Sequence, residues 1–220
     1  MKSNTIPGLP DLRPGNIFGI GRNYAAHAKE LNNPIPARPV IFSKTSSSLT
    51  FGNKVVIPPF VKEPHYETEI VVAISQIGKN ILAADAMDYI AGYALGIDVT
   101  ARDIQQDLKE KSHPWFLAKS LDTFAPVSSF IPASEIDDAN NISFSLKING
   151  ELRQTGDTSL MLFPINELIA TLSKYVTLQP GDMIFTGTPE GVGQLHHGDR
   201  LHAKLQSGLV NLHLIVTSKS

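Results

Sequence analysis

The chain has 220 residues, with 19 Lys+Arg against 21 Asp+Glu for a formal charge of -2, and it contains no cysteine. A chain of this length makes one large domain or two small ones and buries roughly 70% of its unfolded surface, so it needs no disulfide or structural zinc. Lack of cysteine excludes thiol nucleophiles, CxxC redox chemistry and Cys-ligated metals, and a near-neutral balance with no basic run argues against a nucleic-acid partner.

The segment from Met1 to Asn16 has no apolar core of the kind found in a secretory signal. No stretch reaches the ~18 consecutive apolar residues of a membrane span. The expectation is a cytoplasmic protein without a membrane partner. Asn16–Gly21 reads as a short buried strand, followed by a helix from about Asn23 to Leu31 that the Asn-Asn-Pro-Ile-Pro stretch stops. Val40–Ser43 and Val55–Ile57 read as strands around a serine-rich loop. Glu67–Ile77 is a clear strand, with apolar residues at both parities from Ile70 to Ile74, which predicts burial on both faces.

Ala83–Ala91 has a helical pattern, with Asp85 and Asp88 towards solvent. Gly92–Val99 follows as an apolar strand, and Thr100 is placed to cap a helix running to about Lys111. Asn149-Gly150 between Ile142–Ile148 and Glu151–Thr155 predicts a hairpin with a type I′ turn. Pro164 opens an amphipathic helix through Val176. Strands at Met183–Thr186 and Val210–Val216 complete the chain. Strands outnumber helices without alternating regularly, which favours a mixed α+β sheet or barrel-like core.

Several clusters could carry chemistry. Glu67 and Glu69 share one face of a strand, about 7 Å apart at the backbone, and repel unless something positive lies between them. Asp98, at the end of an apolar strand, adds a third carboxylate, although an acid before a helix is often only its cap. Three carboxylates form an oxygen site for Mg²⁺ or Mn²⁺, and their charge of -3 exceeds that of one divalent ion. Lys119 and Arg102 stand nearby in sequence as further positive partners. His27 and Glu30, three apart on the first helix, share a face, the spacing at which a carboxylate orients an imidazole as a base. The glycine-rich run Thr186 to Gly193 can bring backbone N–H groups to an anion. It lacks the ending of a phosphate-binding loop, so a small carboxylate or enolate is the better ligand. His196 and His197 read as solvated and His113 as packing, while His202 and His213 show no partner spacing.

Taken in order, Gly21-Arg22-Asn23-Tyr24 with His27 and Glu30, His65-Tyr66-Glu67-Thr68-Glu69, Asp98 through Gln105, Lys119, and Thr186 through Gly193 closely resemble the fumarylacetoacetate hydrolase family. The likeness is strongest to the short branch that includes acylpyruvases and oxaloacetate decarboxylases. It runs from about Asn16 to the C-terminus, which leaves residues 1–15 as an extension and 16–220 as a single catalytic domain. The resemblance implies a mixed β-sandwich roll with peripheral helices, usually dimeric, holding Mg²⁺ or Mn²⁺ on Glu67, Glu69 and Asp98. It further implies His27 and Glu30 as a water-activating dyad on a segment that orders over substrate. Lys119 would support developing negative charge, and Arg22, Gln105 and Thr188 would contact the substrate. The implied activity is C–C hydrolysis of acylpyruvate-type β-diketo acids, with oxaloacetate decarboxylation or tautomerisation alongside. The alternatives are an isomerase/decarboxylase of 2-oxo-enedioates and, least favoured, a non-catalytic metal-binding domain.

Overall fold

The structure, a computed structural model, describes residues 5–218. Two mixed sheets dominate. The larger has six strands in the order Ile131–Pro132, Ile90–Ile97, Thr68–Ile74, Met183–Phe185, Ile17–Gly21 and Val40–Lys44. Only Ile17–Gly21 and Met183–Phe185 run parallel in it. The other has five strands in the order Glu151–Asp157, Ser143–Ile148, Arg200–Leu205, Val210–Ser218 and Lys54–Ile57, with the last pair parallel. The fold is α+β, with four short α-helices around the sheets among the described residues, and neither sheet closes into a barrel.

The central strand shows why both its parities are apolar. Every residue of Thr68–Ile74 is buried. Ile70, Val72 and Ile74 join the main core, where they meet Leu146, Leu205 and Leu214 of the five-stranded sheet and Leu168 and Leu172 of helix Ile165–Tyr175. Val71 and Ala73 face the other way, into a second cluster with Ile17, Met183 and Phe185. That second cluster also takes Ile6 and Leu9 from the N-terminal segment, 1% and 8% exposed, and the Phe130 N–H donates to the Pro7 carbonyl at 2.8 Å.

The hairpin forms where Asn149-Gly150 places it, with φ of +52° and +89° at the two turn residues. Helix Ile165–Tyr175 follows Pro164, and Ile165, Leu168, Ile169 and Leu172 supply its buried face. The first helix is shorter than its pattern suggested, Ala25–Glu30, and the central strand ends at Ile74 rather than Ile77.

Other expectations fail for identifiable reasons. Ala83–Ala91 is not a helix: a single 3-10 turn at Ala86–Tyr89 leads into a strand that begins at Ile90. Of that turn only Ala86 is buried, too little apolar contact to offset the cost of helix nucleation. Thr100 does not cap helix Arg102–Glu110. It pairs with His65 in a small sheet, Ala101 occupies the cap position, and no side chain caps that end. Arg200–Leu205 is a strand that the apolar pattern missed, and its register sets His202 opposite His213 with stacked rings 4.0 Å apart. These two histidines are therefore each other's neighbours. His196 and His197 are exposed as expected; His113 is exposed too, rather than packed.

Candidate metal centre and active site

Antiparallel pairing sets Thr68 beside Ile97, so the start of one central strand lies next to the end of its neighbour. That register brings Glu67 and Glu69 to Asp98, whose backbone N–H donates to the Glu67 carbonyl at 2.7 Å. All three acids are buried, with one carboxylate oxygen from each lying within 4.8 Å of the others.

Three buried carboxylates demand positive charge, and the protein supplies more of it than the sequence suggested. Lys119 places its ammonium between Glu67 (2.8 Å) and Asp98 (2.5 Å) and donates its third hydrogen bond to the Thr100 hydroxyl at 2.7 Å. Arg102 binds the other Glu67 oxygen. Lys44, 4% exposed, binds Asp98 at 2.5 Å. Three cations thus offset three anions, and the triad is not the net-negative cluster expected. Asp98 serves this ion network rather than a helix cap. Lys44 was invisible in the sequence because it ends an unremarkable strand, Val-Ile-Phe-Ser-Lys, 54 residues from its partner.

The compensation is uneven. Burial alone would raise the Glu67 carboxyl, but Lys119 and Arg102 outweigh it and hold it well below the usual carboxylate range. Burial works against the Lys119 ammonium as well, yet Asp98 and Glu67 raise it; for Lys44 burial wins and lowers it against the pull of Asp98. Glu69 has no cation of its own. Among the described residues its one hydrogen-bond partner is the Gly187 N–H at 2.7 Å, and burial, with the Asp98 and Glu67 charges, pushes its carboxyl well above the ordinary range. A hard divalent cation bound by all three carboxylates would answer that deficit, and the all-oxygen donor set matches one. The residues fit such an ion.

Two N–H groups of the glycine-rich loop are spent on the protein's own carboxylates. Gly187 donates to Glu69, and Gly191 donates to Glu30 at 3.0 Å, so the loop holds the protein's own carboxylates. Gly187 has φ +103°, and a Cβ there would come within 2.6 Å of the Asn23 Cβ, so only glycine fits. Fully buried Asn23 braces the same turn: its amide donates to the Thr186 and Phe163 carbonyls and its oxygen accepts from the Phe163 N–H.

His27 is 5% exposed and its Nδ1 lies 3.3 Å from Glu30 Oε2. With Nδ1–H donating to the carboxylate, Nε2 is the free basic nitrogen. Gln105 accepts from Arg102 at 2.5 Å, which leaves its amide hydrogens free. Thr188 is fixed on both sides, donating to the Thr68 carbonyl and accepting from Gln154, each at 2.9 Å. Gln154 is 1% exposed and reaches over from the hairpin of the other sheet to accept from the Thr68 N–H. No sequence signal marks this glutamine, because its role depends on the packing of two sheets. His65 stands beside Arg102, and burial together with that guanidinium pushes its imidazole down to about 4.

One cavity of about 290 Å³ gathers these groups. His27, Glu67, Glu69, Lys119, Thr188 and Gln105 line it, as does Arg22. Glu30 orients His27 from outside the lining, and Asp98 lies beneath Lys119. The structure thus brings together all nine residues singled out from the sequence.

A family profile described as fumarylacetoacetate (FAA) hydrolase C-terminal matches residues 16–216. The chain belongs to the fumarylacetoacetate hydrolase family. It is 43% identical over 207 residues to oxaloacetate tautomerase FAHD2, mitochondrial, of Oryza sativa subsp. japonica, covering 92% of this chain and 91% of that protein. The solved fumarylpyruvate hydrolase of Pseudomonas aeruginosa, in complex with Mn²⁺ and pyruvate, superposes with a TM-score of 0.87 at 33% identity, over 94% of this chain and 91% of that one. The 5-carboxymethyl-2-hydroxymuconate delta-isomerase of Mycobacterium smegmatis gives a TM-score of 0.84 at 34% identity, over 98% and 83%. Membership of this family and the names of these relatives support an enzyme. Among the described residues, no helix is long and apolar enough to cross a membrane.

Proposed function

We propose that the chain is a divalent-metal-dependent enzyme that interconverts keto and enol forms of a small 2-oxo acid, with oxaloacetate as its reference substrate. The supporting observation is the meeting of a hard-cation carboxylate triad and an oriented His27–Glu30 pair in one cavity. The likeness to a protein named oxaloacetate tautomerase points the same way. When bound, Mg²⁺ or Mn²⁺ supplies Lewis-acid polarisation of the 2-oxo oxygen. His27 Nε2 takes a proton from C3 of the keto form while solvent supplies one to the 2-oxo oxygen, the reverse direction undoes both transfers, and Glu30 holds the ring throughout. Gln105 positions the carboxylate end through its free amide hydrogens, Thr188, whose hydroxyl is donated to the Thr68 carbonyl, shapes the wall beside it, and Lys119 keeps the triad compact.

The second reading, C–C hydrolysis of an acylpyruvate, is favoured by the likeness to a fumarylpyruvate hydrolase. It requires in addition a donor for the oxyanion formed when water attacks. Lys119 was the expected donor, but its three N–H groups are already committed to Glu67, Asp98 and Thr100. Hydrolysis would need one of them released, so tautomerisation asks less of the observed geometry. The wider reading also includes a cytoplasmic homodimer, and light scattering of the purified protein would return twice the monomer mass.

Chelation tests the reading. Removing divalent ions should lower oxaloacetate keto–enol interconversion by at least about a hundredfold, and added Mg²⁺ or Mn²⁺ should restore it. Activity that survives chelation would defeat it. Running acetylpyruvate and a 2-oxo-hept-3-enedioate beside oxaloacetate separates the tautomerase from the hydrolase and isomerase readings.

A further inference from the structure

Asn149-Gly150 is the chain's one Asn-Gly step, and besides turning a hairpin it carries a reactivity of its own. The Gly150 nitrogen can attack the Asn149 Cγ. That nitrogen loses its proton, ammonia leaves, and the resulting succinimide is opened by water to aspartate or isoaspartate. A following glycine favours the step, because no Cβ hinders the attacking nitrogen. Both residues are exposed, and the position a Cβ would take on Gly150 has nothing within 4 Å. Water and open space, the two external requirements, are both met.

What opposes the reaction is a clasp on the asparagine. Its main-chain N–H donates to the Arg200 carbonyl at 2.9 Å, and its side-chain oxygen accepts from the Arg200 N–H at 3.0 Å. Its side-chain nitrogen donates to Asp199 Oδ1 at 2.8 Å. A backbone donor on one side and a carboxylate on the other fix which way the amide faces. Asp199 is itself held in place. Its Oδ2 accepts from the His196 N–H at 2.8 Å, its own N–H donates to the His196 carbonyl, and its carbonyl accepts from the Val216 N–H. The succinimide ring takes the Asn149 backbone out of the left-handed turn, where φ is +52°. Closing the ring therefore requires the turn to open and both side-chain bonds to break, one of them to a charged acceptor.

We infer that Asn149 is a latent deamidation site, held shut by the clasp to Asp199 and Arg200, and that its product cannot restore the clasp. An aspartate at this position sets its carboxylate against that of Asp199 in place of the donated hydrogen. An isoaspartate adds a carbon to the main chain of a two-residue turn that sets the hairpin's register.

Peptide mapping by mass spectrometry, on protein held at pH 8, reads the conversion as the mass gained when the amide becomes an acid. The folded protein should convert about a hundredfold more slowly than the same chain in denaturing urea, the factor expected from two hydrogen bonds of which one is charge-assisted. Asp199→Ala should speed the folded rate roughly tenfold, and Asp199→Asn, which still offers an oxygen, should speed it less. Urea melts identify which variants are folded; if Asp199→Ala is not, Asp199→Asn against the unaltered protein decides. The converted fraction, separated by its added negative charge, should unfold at lower urea than its parent. Equal rates in the folded and unfolded chains would overturn the inference. So would folded Asp199 variants that convert no faster than the unaltered protein, or a converted protein of unchanged stability.

Discussion

Glu69→Gln is expected to yield a protein that is more stable without metal and inactive with it. Glu69 is 1% exposed and, among the described residues, has a single N–H partner, while two other carboxylates crowd it. A neutral isostere keeps the shape and removes the repulsion, for a gain on the order of 1 kcal/mol in chelator. Loss of one of three ligands should cut turnover by at least about a thousandfold. The pH dependence follows from the raised carboxyl. In the unfolded chain this group loses its proton near the ordinary value of about 4.3, whereas in the fold it keeps the proton to higher pH. Its contribution is thus fully present below the unfolded value and lost as pH rises towards the folded one. Urea melts of both proteins in chelator at pH 5 and pH 8 should show the variant's advantage growing with pH. An advantage that shrinks with pH, or metal-dependent turnover that persists in the variant, would count against this account of the triad.

His27→Ala carries the second large effect, and its pattern across reactions matters more than its size. Proton transfer at C3 needs a base, so tautomerisation should fall by roughly 10²- to 10⁴-fold. Any acylpyruvate hydrolysis should fall at least as far, because water activation uses the same nitrogen. Decarboxylation of oxaloacetate differs: CO₂ leaves and the electrons pass to the polarised oxo group without prior removal of a proton from carbon. That reaction should survive in the variant. Glu30→Gln keeps the hydrogen bond without the charge and should cost about tenfold in tautomerisation. Equal loss in all reactions would mean that His27 shapes the cavity rather than moving protons.

Much of the site could be read from the chain because its acids sit at strand ends. Glu67 and Glu69 open a strand buried on both faces, and Asp98 closes the neighbouring one, so ordinary antiparallel pairing was enough to unite them. His27 and Glu30 needed only a helix turn. What stayed hidden depends on contacts far apart in sequence. Lys44 reaches Asp98, and Gln154 spans two sheets to hold Thr68 and Thr188. Local rules misled at Thr100, whose hydroxyl suits a helix cap but is instead drawn to the Lys119 ammonium. At the glycine-rich loop two N–H groups do meet anions, but these are the protein's own Glu69 and Glu30. The stacking of His202 on His213 required a strand register that a short apolar pattern does not give.

The packing of Ile6 and Leu9 separates two boundaries that are easily taken as one. The family profile begins at residue 16, but the second core begins ten residues earlier, because these two side chains cover Ile17, Met183 and Phe130. A shortened chain started at the family boundary would expose that face and lose the Phe130–Pro7 clasp. Deleting two buried aliphatic side chains costs about 2–5 kcal/mol each, a large share of the total stability of a domain. The first residue of the family profile and the start of the packed core are different positions, and trimming the chain to the profile would remove part of its foundation.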